Sequence, residues 1–533
     1  MQPGSADLIV VGATIHTADE AAGPARALAI RGGRFAHVGS VEGAMALRGP
    51  ATRMLDLSGY TILPGLVDAH LHLTRLGLTL GHVDLRELGS FEEVVARTVA
   101  FARGACDEWI VGEGWNQDDW PGRAFPIHDA LTAALPDRPA ALSRIDGHAV
   151  LANAAAMTLA SIDPATPDPP GGRIVRDSSG RPTGLFVDAA QALIFACVPA
   201  PAHGRLQRAT QAAIRECNRW GVTAVAEPGT SEATIAAHIA LLERGEYSMR
   251  NHAMLYDDDA LLEPRFRAGI VDGAFDGRLS TRAVKTFADG ALGSRGAALL
   301  APYADDPGND GLIVTPVQKI ARLAERALRA GFQLCAHAIG DRANREVLDA
   351  YQTALERVPG GDPRLRVEHA QVLDPADVPR FAGLGVIASM QATHRTSDMA
   401  WAPARLGPTR ILGAYAWRAL LDSGAVVANG TDAPVEPVST PRTFYASIAG
   451  DDGRAMTRRE ALASMTIWAA RANFQEHLAG SIGAGKYADF VVMDRDWMTV
   501  NPRSIEATKI VATYFAGRRV YEDGAPAPIE PGS

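Results

Sequence analysis

Apolar runs alternate with helical stretches rich in alanine, leucine and arginine through the middle of the chain. This alternation indicates βα units arranged around a parallel sheet. The strand-like runs are Ile62–Leu73, Thr223–Glu227, His252–Tyr256, Ala283–Asp289, Phe332–Ala338, Arg366–Ala370, Val386–Gln391 and Val426–Asp432. These eight runs are the number that a closed barrel requires. We therefore predict an α/β fold whose main domain is a (β/α)8 TIM barrel.

The two ends of the chain have a different pattern, made of short apolar strands separated by turns. Arg31–Arg34 and Ala516–Arg518 are hairpin signals, one near each end. Neither end has enough strands to bury an apolar face by itself. We therefore predict that residues 1–62 and 478–533 combine into one small β-sandwich domain.

A long segment separates the first and second predicted barrel strands. Residues 75–215 exceed any ordinary βα loop, and they contain helical stretches and a further hairpin-like pattern. We predict that this segment is a large insertion over the active-site face. The barrel itself is then built from residues 63–74 and 216–477.

Composition and charge exclude several classes of protein. The chain has 533 residues and a net charge of −9, with no run of basic residues, which argues against nucleic-acid binding. Its four cysteines are scattered without the spacing of a disulfide framework or a thiolate zinc site. No signal peptide or membrane span is visible, so we expect a cytoplasmic protein without a membrane partner.

The first candidate for chemistry is a pair of histidines, His70 and His72, which follow the break at Pro64-Gly65. Side chains alternate faces along a strand, so both imidazoles are expected on one side. Imidazole is the commonest metal ligand near neutral pH. A His-x-His pair is nevertheless a weak motif alone, because a strand can carry two surface histidines.

Further polar residues lie at or near the ends of later predicted strands. His337, His369 and Asp432 each end such a run, and Lys285 lies inside an otherwise apolar one. Functional side chains of a TIM barrel lie at the C-terminal ends of its strands. Histidine and carboxylate ligands suit zinc, manganese, iron or nickel, with zinc the commonest hydrolytic choice. Any one of these histidines could equally be a core or rim residue.

Together these residues resemble the amidohydrolase superfamily of metal-dependent hydrolases. That pattern has His-x-His on the first strand, lysine on the fourth, histidines on the fifth and sixth, and aspartate on the eighth. A β-sandwich assembled from both chain termini is also part of the superfamily pattern. Several short motifs resemble the YtcJ-like branch of this superfamily, which includes N-substituted formamide deformylase. The matching segments are Gly114–Asn116, Ser143–His148, Asp289–Arg295, Ala336–Asp341 and Gly430–Val435.

The resemblance implies two divalent metal ions, with zinc as the expected metal. It places one ion on His70, His72 and Asp432 and the other on His337 and His369. Lys285 would bridge them as a carbamate, because burial lowers the pKa of a lysine and exposes its neutral amine to carbon dioxide. If Lys285 instead reaches solvent as an ammonium, the site would hold one ion.

The same resemblance suggests further site residues. Asp432 would be catalytic, taking a proton from the attacking water and delivering it to the leaving nitrogen. The expected substrate-contacting residues are Trp115, His148, Arg295 and His394, with His148 also catalytic through the oxyanion. Alternatives remain open: Trp115 as core, His148 as a surface residue, and Arg295 paired with Asp289. Glu368 and Asp341 are expected to orient the ligand histidines.

These inferences predict a hydrolase of amide-type carbon–nitrogen bonds that uses metal-activated hydroxide. The expected substrate is a small N-substituted formamide or N-acyl amine. The alternatives are hydrolysis of an ester, lactone or cyclic imide, a deaminase with one metal, and a barrel that binds without turnover. The sequence gives no evidence of a protein partner, and a homodimer stays an open expectation.

Overall fold

The structure is a computed structural model that describes residues 4–19, 24–105, 108–144, 149–169, 172–188, 190–450, 453–524 and 526. The chain forms two compact units. The first combines Met1–Leu76 with Thr210–Ser533, and the second is Gly77–Ala209.

The strands are, in chain order, β1 Leu8–Ile15, β2 Ala25–Arg31, β3 Arg34–Gly39, β4 Arg53–Asp56, β5 Thr61–Pro64, β6 Leu66–Asp68, β7 Val83–Asp84, β8 Ile110–Trp115, β9 Ala140–Arg144, β10 Ala149–Ala152, β11 Gly172–Arg176, β12 Pro182–Asp188, β13 Val222–Thr230, β14 Arg250–Tyr256, β15 Val271–Gly273, β16 Leu279–Phe287, β17 Gln333–Ala338, β18 Arg366–His369, β19 Ile387–Met390, β20 Val427–Asn429, β21 Phe490–Met493, β22 Ile510–Phe515 and β23 Arg518–Glu522.

The α-helices are α1 Val41–Met45, α2 Leu73–Leu80, α3 Phe91–Gly104, α4 Asp129–Ala134, α5 Ala154–Leu159, α6 Gln191–Phe195, α7 His203–Arg219, α8 Glu232–Glu243, α9 Asp259–Ala268, α10 Ala274–Gly277, α11 Val317–Arg329, α12 Asp341–Arg357, α13 Val378–Leu384, α14 Ala392–Asp398, α15 Ala402–Arg410, α16 Trp417–Asp422, α17 Thr440–Ile448, α18 Arg458–Ser464 and α19 Ile467–Ala472. Short 3₁₀ turns lie at Gln117–Asp119, Pro121–Arg123, Ile411–Gly413 and Pro502–Ser504. Among these described helices, none is long and apolar enough to cross a membrane.

Strands from both termini share one hydrogen-bonded sheet in the first unit. Its order is β23-β22-β21-β5-β1-β2-β3, with β4 paired to β1. The junction is the antiparallel pair β5–β21, in which Leu63 lies opposite Val491. Side chains such as Phe35 and Phe490 pack into an apolar core on this sheet.

The parallel strands of the first unit form a nearly closed barrel. Within the described ranges, eight of them follow the order β20-β19-β18-β17-β16-β14-β13-β6. Backbone hydrogen bonds at and just beyond the ends of β6 and β20 link the two ends of this order, including Ala69 N to Asn429 O at 3.1 Å and Asp432 N to His70 O at 2.7 Å. The predicted α/β TIM-barrel fold class is confirmed.

Alternation along the barrel strands determines what fills the interior. A layer of small and medium side chains, from Ala226, Met254, Ala283 and Cys335, packs around the axis. Cys335 is fully buried there, as its apolar surroundings in the sequence indicate. Residues two positions further along β14 and β16 therefore face the axis nearer the C-terminal mouth.

The second unit has its own sheet, with the order β11-β12-β10-β9-β8-β7. Trp115 is buried in its core, where the indole packs 5.9 Å from the ring of Trp120. The Trp115 Nε1 donates to Leu142 O at 2.7 Å. These contacts are those of a core tryptophan, and a role for Trp115 against a substrate stays a prediction.

Candidate metal centre

The histidine pair follows β6 but does not lie within it. The strand ends at Asp68, and His70 and His72 occupy the bend before α2. The Asp68 carboxylate accepts from His70 N at 3.1 Å and from Thr431 Oγ1 at 2.7 Å, which turns the chain and ties it to the loop after β20. The expectation that strand alternation aligns the pair was therefore wrong.

His70, His72 and Asp432 form the first candidate ligand group. The Nε2 atoms of the two histidines lie 3.6 and 3.3 Å, respectively, from Asp432 Oδ1. Their ring centroids are 5.5 Å apart. One ligand atom from each of the three residues lies within 4.8 Å of the others, a spacing that one metal ion can span.

Hydrogen bonds at the other ring nitrogens orient both imidazoles. His70 Nδ1 lies 2.5 Å from Glu368 Oε2, and Arg366 Nε lies 2.7 Å from the second oxygen of that carboxylate. His72 Nδ1 lies 3.2 Å from Pro228 O. Each contact leaves Nε2 free to face Asp432, which is how metal-binding histidines are usually held. The predicted orienting role of Glu368 agrees with this contact.

A second candidate group shares the same aspartate. His369, His394 and Asp432 also present ligand atoms within 4.8 Å of one another. His369 Nδ1 lies 2.7 Å from Gln391 Oε1, and His394 Nε2 lies 3.8 Å from Asp432 Oδ2. Both His369 and Asp432 have positive φ angles, of 76° and 57°. Such strained backbone is commonest at functional sites.

Lys285 and His337 lie beside these groups. Lys285 is only 1% exposed, so the alternative in which its amine reaches solvent does not hold. Its Nζ lies 4.9 Å from the ring centroid of Phe287, and burial lowers its pKa. The ring of His337 lies 4.6 Å from the ring of His369, while His337 Nε2 lies 3.4 Å from Gly290 O.

Burial sets the protonation states of the cluster. It lowers the pKa of His70 to about 4 and that of His337 to about 3, each with help from the charge of Lys285. The pKa of His369 also falls well below its ordinary value because the ring is buried. Burial opposes ionisation of Asp432, but the neighbouring histidines hold the pKa of this carboxyl well below its usual range. Burial thus favours the neutral, metal-binding form of His70, His337 and His369.

Two buried polar atoms show whether the candidate ligands suit a metal ion. Asp432 Oδ1 and His394 Nε2 have no hydrogen-bond partner among the residues that the structure describes. Buried polar atoms are rarely left unpaired in proteins, and both belong to the ligand groups defined above. The donor set of imidazole nitrogens and a carboxylate oxygen therefore fits a divalent cation such as zinc.

A family model decides the broader identity. The model described as "Amidohydrolase family" matches residues 53–521, which include every candidate ligand. The chain belongs to the amidohydrolase family. The resemblance to this family that the sequence motifs indicate is confirmed.

Relatives within the family match over nearly the whole chain. Protein LONG AFTER FAR-RED 3 from Arabidopsis thaliana is 33% identical, covering 97% of this chain and 92% of the relative. Putative amidohydrolase YtcJ from Bacillus subtilis is 32% identical, covering 96% and 98%. N-substituted formamide deformylase from Arthrobacter pascens is 28% identical, covering 97% and 98%.

A solved structure shares both fold and sequence. The crystal structure of an uncharacterized metal-dependent hydrolase from Pyrococcus furiosus has a TM-score of 0.79 and 27% identity, covering 92% of this chain and 100% of that one. Together with the family match, this similarity shows that the protein is a metal-dependent hydrolase enzyme.

The expected pairing of Arg295 with Asp289 in this amidohydrolase was wrong. Arg295 pairs with Asp305, its Nη2 lying 3.1 Å from Oδ2, and not with Asp289. The buried Asp289 instead accepts backbone N–H groups from Ala298, Ile339 and Gly340, and burial raises its pKa to about 7.

Asp341 does not orient a ligand histidine. It accepts from Leu300 N at 2.8 Å and from Arg342 N at 3.0 Å. His148, expected to meet the oxyanion, lies outside the described residues. The substrate roles of His148 and Arg295 stay predictions.

The sequence interpretation missed two aromatic residues at the barrel mouth, Tyr256 and Phe287. They end β14 and β16 and share the alternation that points Lys285 toward the axis. Unlike other interior-facing residues they are 46% and 38% exposed. The Phe287 ring lies 5.4 Å from that of His337. Phe287 lies two residues after Lys285 on the same strand, so strand alternation would have predicted that its ring faces the same side.

A cleft opens beside Tyr256. Its volume is about 550 Å³, and its lining is partly acidic, with Glu232, Asp257 and Asp258 beside Tyr256. This is the size of an ordinary small-molecule site. The cleft lies where β13 and β14 end, on the side of the barrel where family active sites are built.

Proposed function

We propose that this hydrolase cleaves an amide-type carbon–nitrogen bond, with an N-substituted formamide or N-acyl amine as substrate. The observation that carries the proposal is Asp432. Its carboxylate lies between two histidine groups, is held anionic, and keeps one buried oxygen without a hydrogen-bond partner among the described residues. The similarity to N-substituted formamide deformylase supports this class of substrate.

The proposed centre holds two divalent ions, with zinc as the metal. His70, His72 and Asp432 would hold the first ion. His337 and His369, whose rings lie 4.6 Å apart, would hold the second. The buried Lys285, with its lowered pKa, would stand between them as a carbamate. When bound, such ions lower the pKa of water and polarise a carbonyl group.

Asp432 supplies the proton transfer in this proposal. A carboxylate whose pKa is well below its usual range accepts a proton from the attacking water only transiently. It then returns that proton to the leaving nitrogen, so that the amine departs neutral. The buried rings of His70 and His369, 5.0 Å apart, shield the carboxylate from bulk solvent.

Tyr256 and Phe287 supply the substrate-facing wall. The Phe287 ring lies 5.4 Å from that of His337, and Tyr256 lies opposite Lys285 in the strand register. Exposed aromatic rings at these positions favour an apolar substituent on the amide over a charged one. The proposed substrates therefore carry an alkyl or aryl group beyond the reacting carbonyl.

The test is hydrolysis of matched amide and ester substrates at equal zinc loading. N-Methyl-, N-butyl- and N-benzylformamide are compared with benzyl formate by formate release. We expect amide turnover that rises with the size of the N-substituent. The Asp432→Asn variant should lose about 10²- to 10⁴-fold in kcat, whereas Asp422→Asn on the exposed end of α16 should not. Turnover of the ester alone would refute the amide assignment.

A further inference from the structure

Glu227 on β13 is a buried carboxyl group that the proposed mechanism does not use. Its neighbour Ala226 belongs to the layer around the barrel axis, so alternation along the strand points Glu227 away from the axis and toward the helices. Glu227 is only 3% exposed. A buried carboxyl group is costly unless hydrogen bonds satisfy it, so its partners indicate its role.

Glu227 caps the first turn of α2. Its Oε1 accepts from Thr74 N at 2.8 Å, and its Oε2 accepts from Asn251 Nδ2 at 2.7 Å. Thr74 is the second residue of α2, and the first N–H groups of a helix have no partner inside the helix. A carboxyl group from another element therefore takes the role that a local N-cap side chain usually has.

The cap adjoins the first candidate ligand group along the chain. α2 begins one residue after His72, so the cap fixes the position at which the ligand-bearing bend ends. The bend is also held by the residues on either side of Glu227. Leu71 N donates to Ala226 O at 3.0 Å, and His72 Nδ1 lies 3.2 Å from Pro228 O. Three consecutive residues of β13 thus hold the His-x-His segment and the start of the helix that follows it.

Further buried side chains keep Glu227 in place. His238 Nε2 lies 3.6 Å from Glu227 Oε2 and 3.1 Å from Thr74 Oγ1. Asn251 Nδ2 also donates to Tyr247 OH at 3.0 Å. His238 and Asn251 are both fully buried. These contacts fix the directions of both carboxyl oxygens, so Oε1 stays aimed at the start of the helix.

We propose that Glu227 is a positioning residue for the first metal ion. By capping α2 it holds the bend so that His72 Nε2 faces Asp432, with 3.3 Å between this nitrogen and Oδ1. Glu227 acts through the backbone, because its oxygens accept from Thr74 and Asn251 and not from a candidate ligand. The inference rests on the proposed function, since it concerns the first ion of that centre.

Two variants of Glu227 separate reach from charge. Glu227→Asp keeps the charge but is one methylene shorter, so its carboxyl group no longer reaches Thr74 N. Glu227→Gln loses the charge but keeps the reach, with its amide oxygen toward Thr74 N. Its NH2 group can donate to Asn251 Oδ1 once the Asn251 amide turns over, since that oxygen has no hydrogen-bond partner among the described residues.

The measurement is zinc binding by the full-length, metal-stripped protein in competition with a chromophoric chelator. Glu227→Asp should bind the first ion about 10- to 100-fold more weakly than wild type, whereas Glu227→Gln should bind it with near-wild-type affinity. Thermal melts of each metal-free protein verify folding. Glu227→Ala, which also loses the contact with Thr74 N, takes the place of Glu227→Asp if the shorter acid does not fold.

Ser90→Ala is the matched control, because it removes a helix cap in the second unit. Ser90 Oγ accepts from Glu93 N at 3.2 Å at the start of α3. Loss of that cap should leave zinc affinity at the wild-type value. A comparable fall in zinc affinity in Ser90→Ala would overturn the inference, since the loss of any cap would then have the same effect.

Hydrogen–deuterium exchange provides a second readout that needs neither zinc nor substrate. In the metal-free protein, the backbone amides of α2 should exchange faster in Glu227→Asp than in wild type or Glu227→Gln. The inference is overturned if faster exchange leaves zinc affinity unchanged, because Glu227 would then be only a structural cap. It is also overturned if Glu227→Gln binds the first ion as weakly as Glu227→Asp does.

The outcomes separate this inference from the proposed function. If zinc affinity follows the reach of residue 227 but no amide is hydrolysed, the positioning role stands and the amidase assignment fails. If amides are hydrolysed while Glu227→Asp binds zinc as wild type does, the function stands and the positioning role fails.

Discussion

At the residue scale, the centre depends on which nitrogen each imidazole presents. Glu368 and Pro228 occupy Nδ1 of His70 and His72, and Gln391 occupies that of His369. All three rings therefore direct Nε2 toward the space around Asp432. An imidazole held in one tautomer binds metal more tightly than a free one, because less freedom is lost on binding.

Glu368→Gln tests this orientation. The amide removes the charge opposite His70 and Arg366, so we expect the affinity for the first zinc ion to fall by about 10- to 100-fold. Chelator competition measures that affinity, and thermal melts of the metal-free protein verify folding. Glu356→Gln, on an exposed position of α12, is the matched control. Equal zinc affinity in the Glu368 variant and wild type would contradict the orienting role.

At the element scale, the C-terminal ends of the barrel strands bring distant residues together. The apolar runs of the sequence overlap all eight barrel strands, because buried parallel strands require such runs. The first run, Ile62–Leu73, was too long, since its start lies in β5 of the terminal sheet and only Leu66–Asp68 is a barrel strand. The bend at His70 could not be predicted, since it depends on the contact of Asp68 with Thr431, 363 residues later. The stacking of His394 on His369 was equally hidden, because His394 lies in a helix, outside the strand-end pattern.

Arg295 shows a related limit of sequence reasoning. Asp289 was the nearer charged residue along the chain, but backbone N–H groups already satisfy it. Arg295 therefore pairs with Asp305 in the loop that follows. Pairing of this kind depends on which carboxylate the fold leaves exposed.

The aromatic residues at the strand ends also lead to a prediction about substrate size. Replacing Tyr256 or Phe287 by alanine removes aromatic contact with an apolar substituent, so KM for N-benzylformamide should rise by about 10-fold, the equivalent of ~1.4 kcal/mol. KM for N-methylformamide should change little. Leu412→Ala, at an exposed position away from the strand ends, is the control. Equal effects on both formamides would show that the rings do not contact the substituent.

A barrel strand also carries a buried titrating group away from the proposed ligands. Burial lowers the pKa of His252 on β14 from its ordinary 6.5 to about 3, helped by the charge of Arg366. Below pH 6.5 the unfolded chain binds a proton at this position and the folded chain does not. Stability attributable to His252 is therefore lost as pH falls from 6.5 toward 3.

His252→Gln should reduce that pH dependence. Between pH 6 and 4, its unfolding free energy should fall less steeply than that of wild type, by about 1.4 kcal/mol per pH unit. Urea denaturation at a series of pH values gives the two slopes. Parallel slopes would show that His252 does not titrate as the buried environment requires.

At the scale of the whole molecule, the terminal sheet and the barrel are joined by a buried ion pair. Arg250 Nε on β14 lies 2.9 Å from Asp489 Oδ2, just before β21. The Arg250 guanidinium also lies 3.8 Å from the centre of the Tyr487 ring. Asp489 further accepts from Ala516 N at 2.7 Å. This one carboxylate thus holds strands from both parts of the first unit.

Asp489→Ala should destabilise the protein by about 3–5 kcal/mol, because it leaves the buried Arg250 charge unpaired. Chemical denaturation measures the loss. Arg267→Ala, which removes an exposed partner of Glu263, should leave the unfolding free energy within error. A similarly small effect for Asp489→Ala would mean that the junction does not depend on this pair.

The most direct test of the metal-dependent centre is stepwise re-metallation of the full-length protein. After chelator treatment, zinc is added while bound zinc per chain and the initial rate of amide hydrolysis are both recorded. We predict no turnover without zinc, a rate that rises with occupancy and saturates at two ions per chain, and no comparable rate from Asp432→Asn at equal occupancy. Unchanged hydrolysis by the metal-free protein, or full activity of Asp432→Asn, would contradict the account.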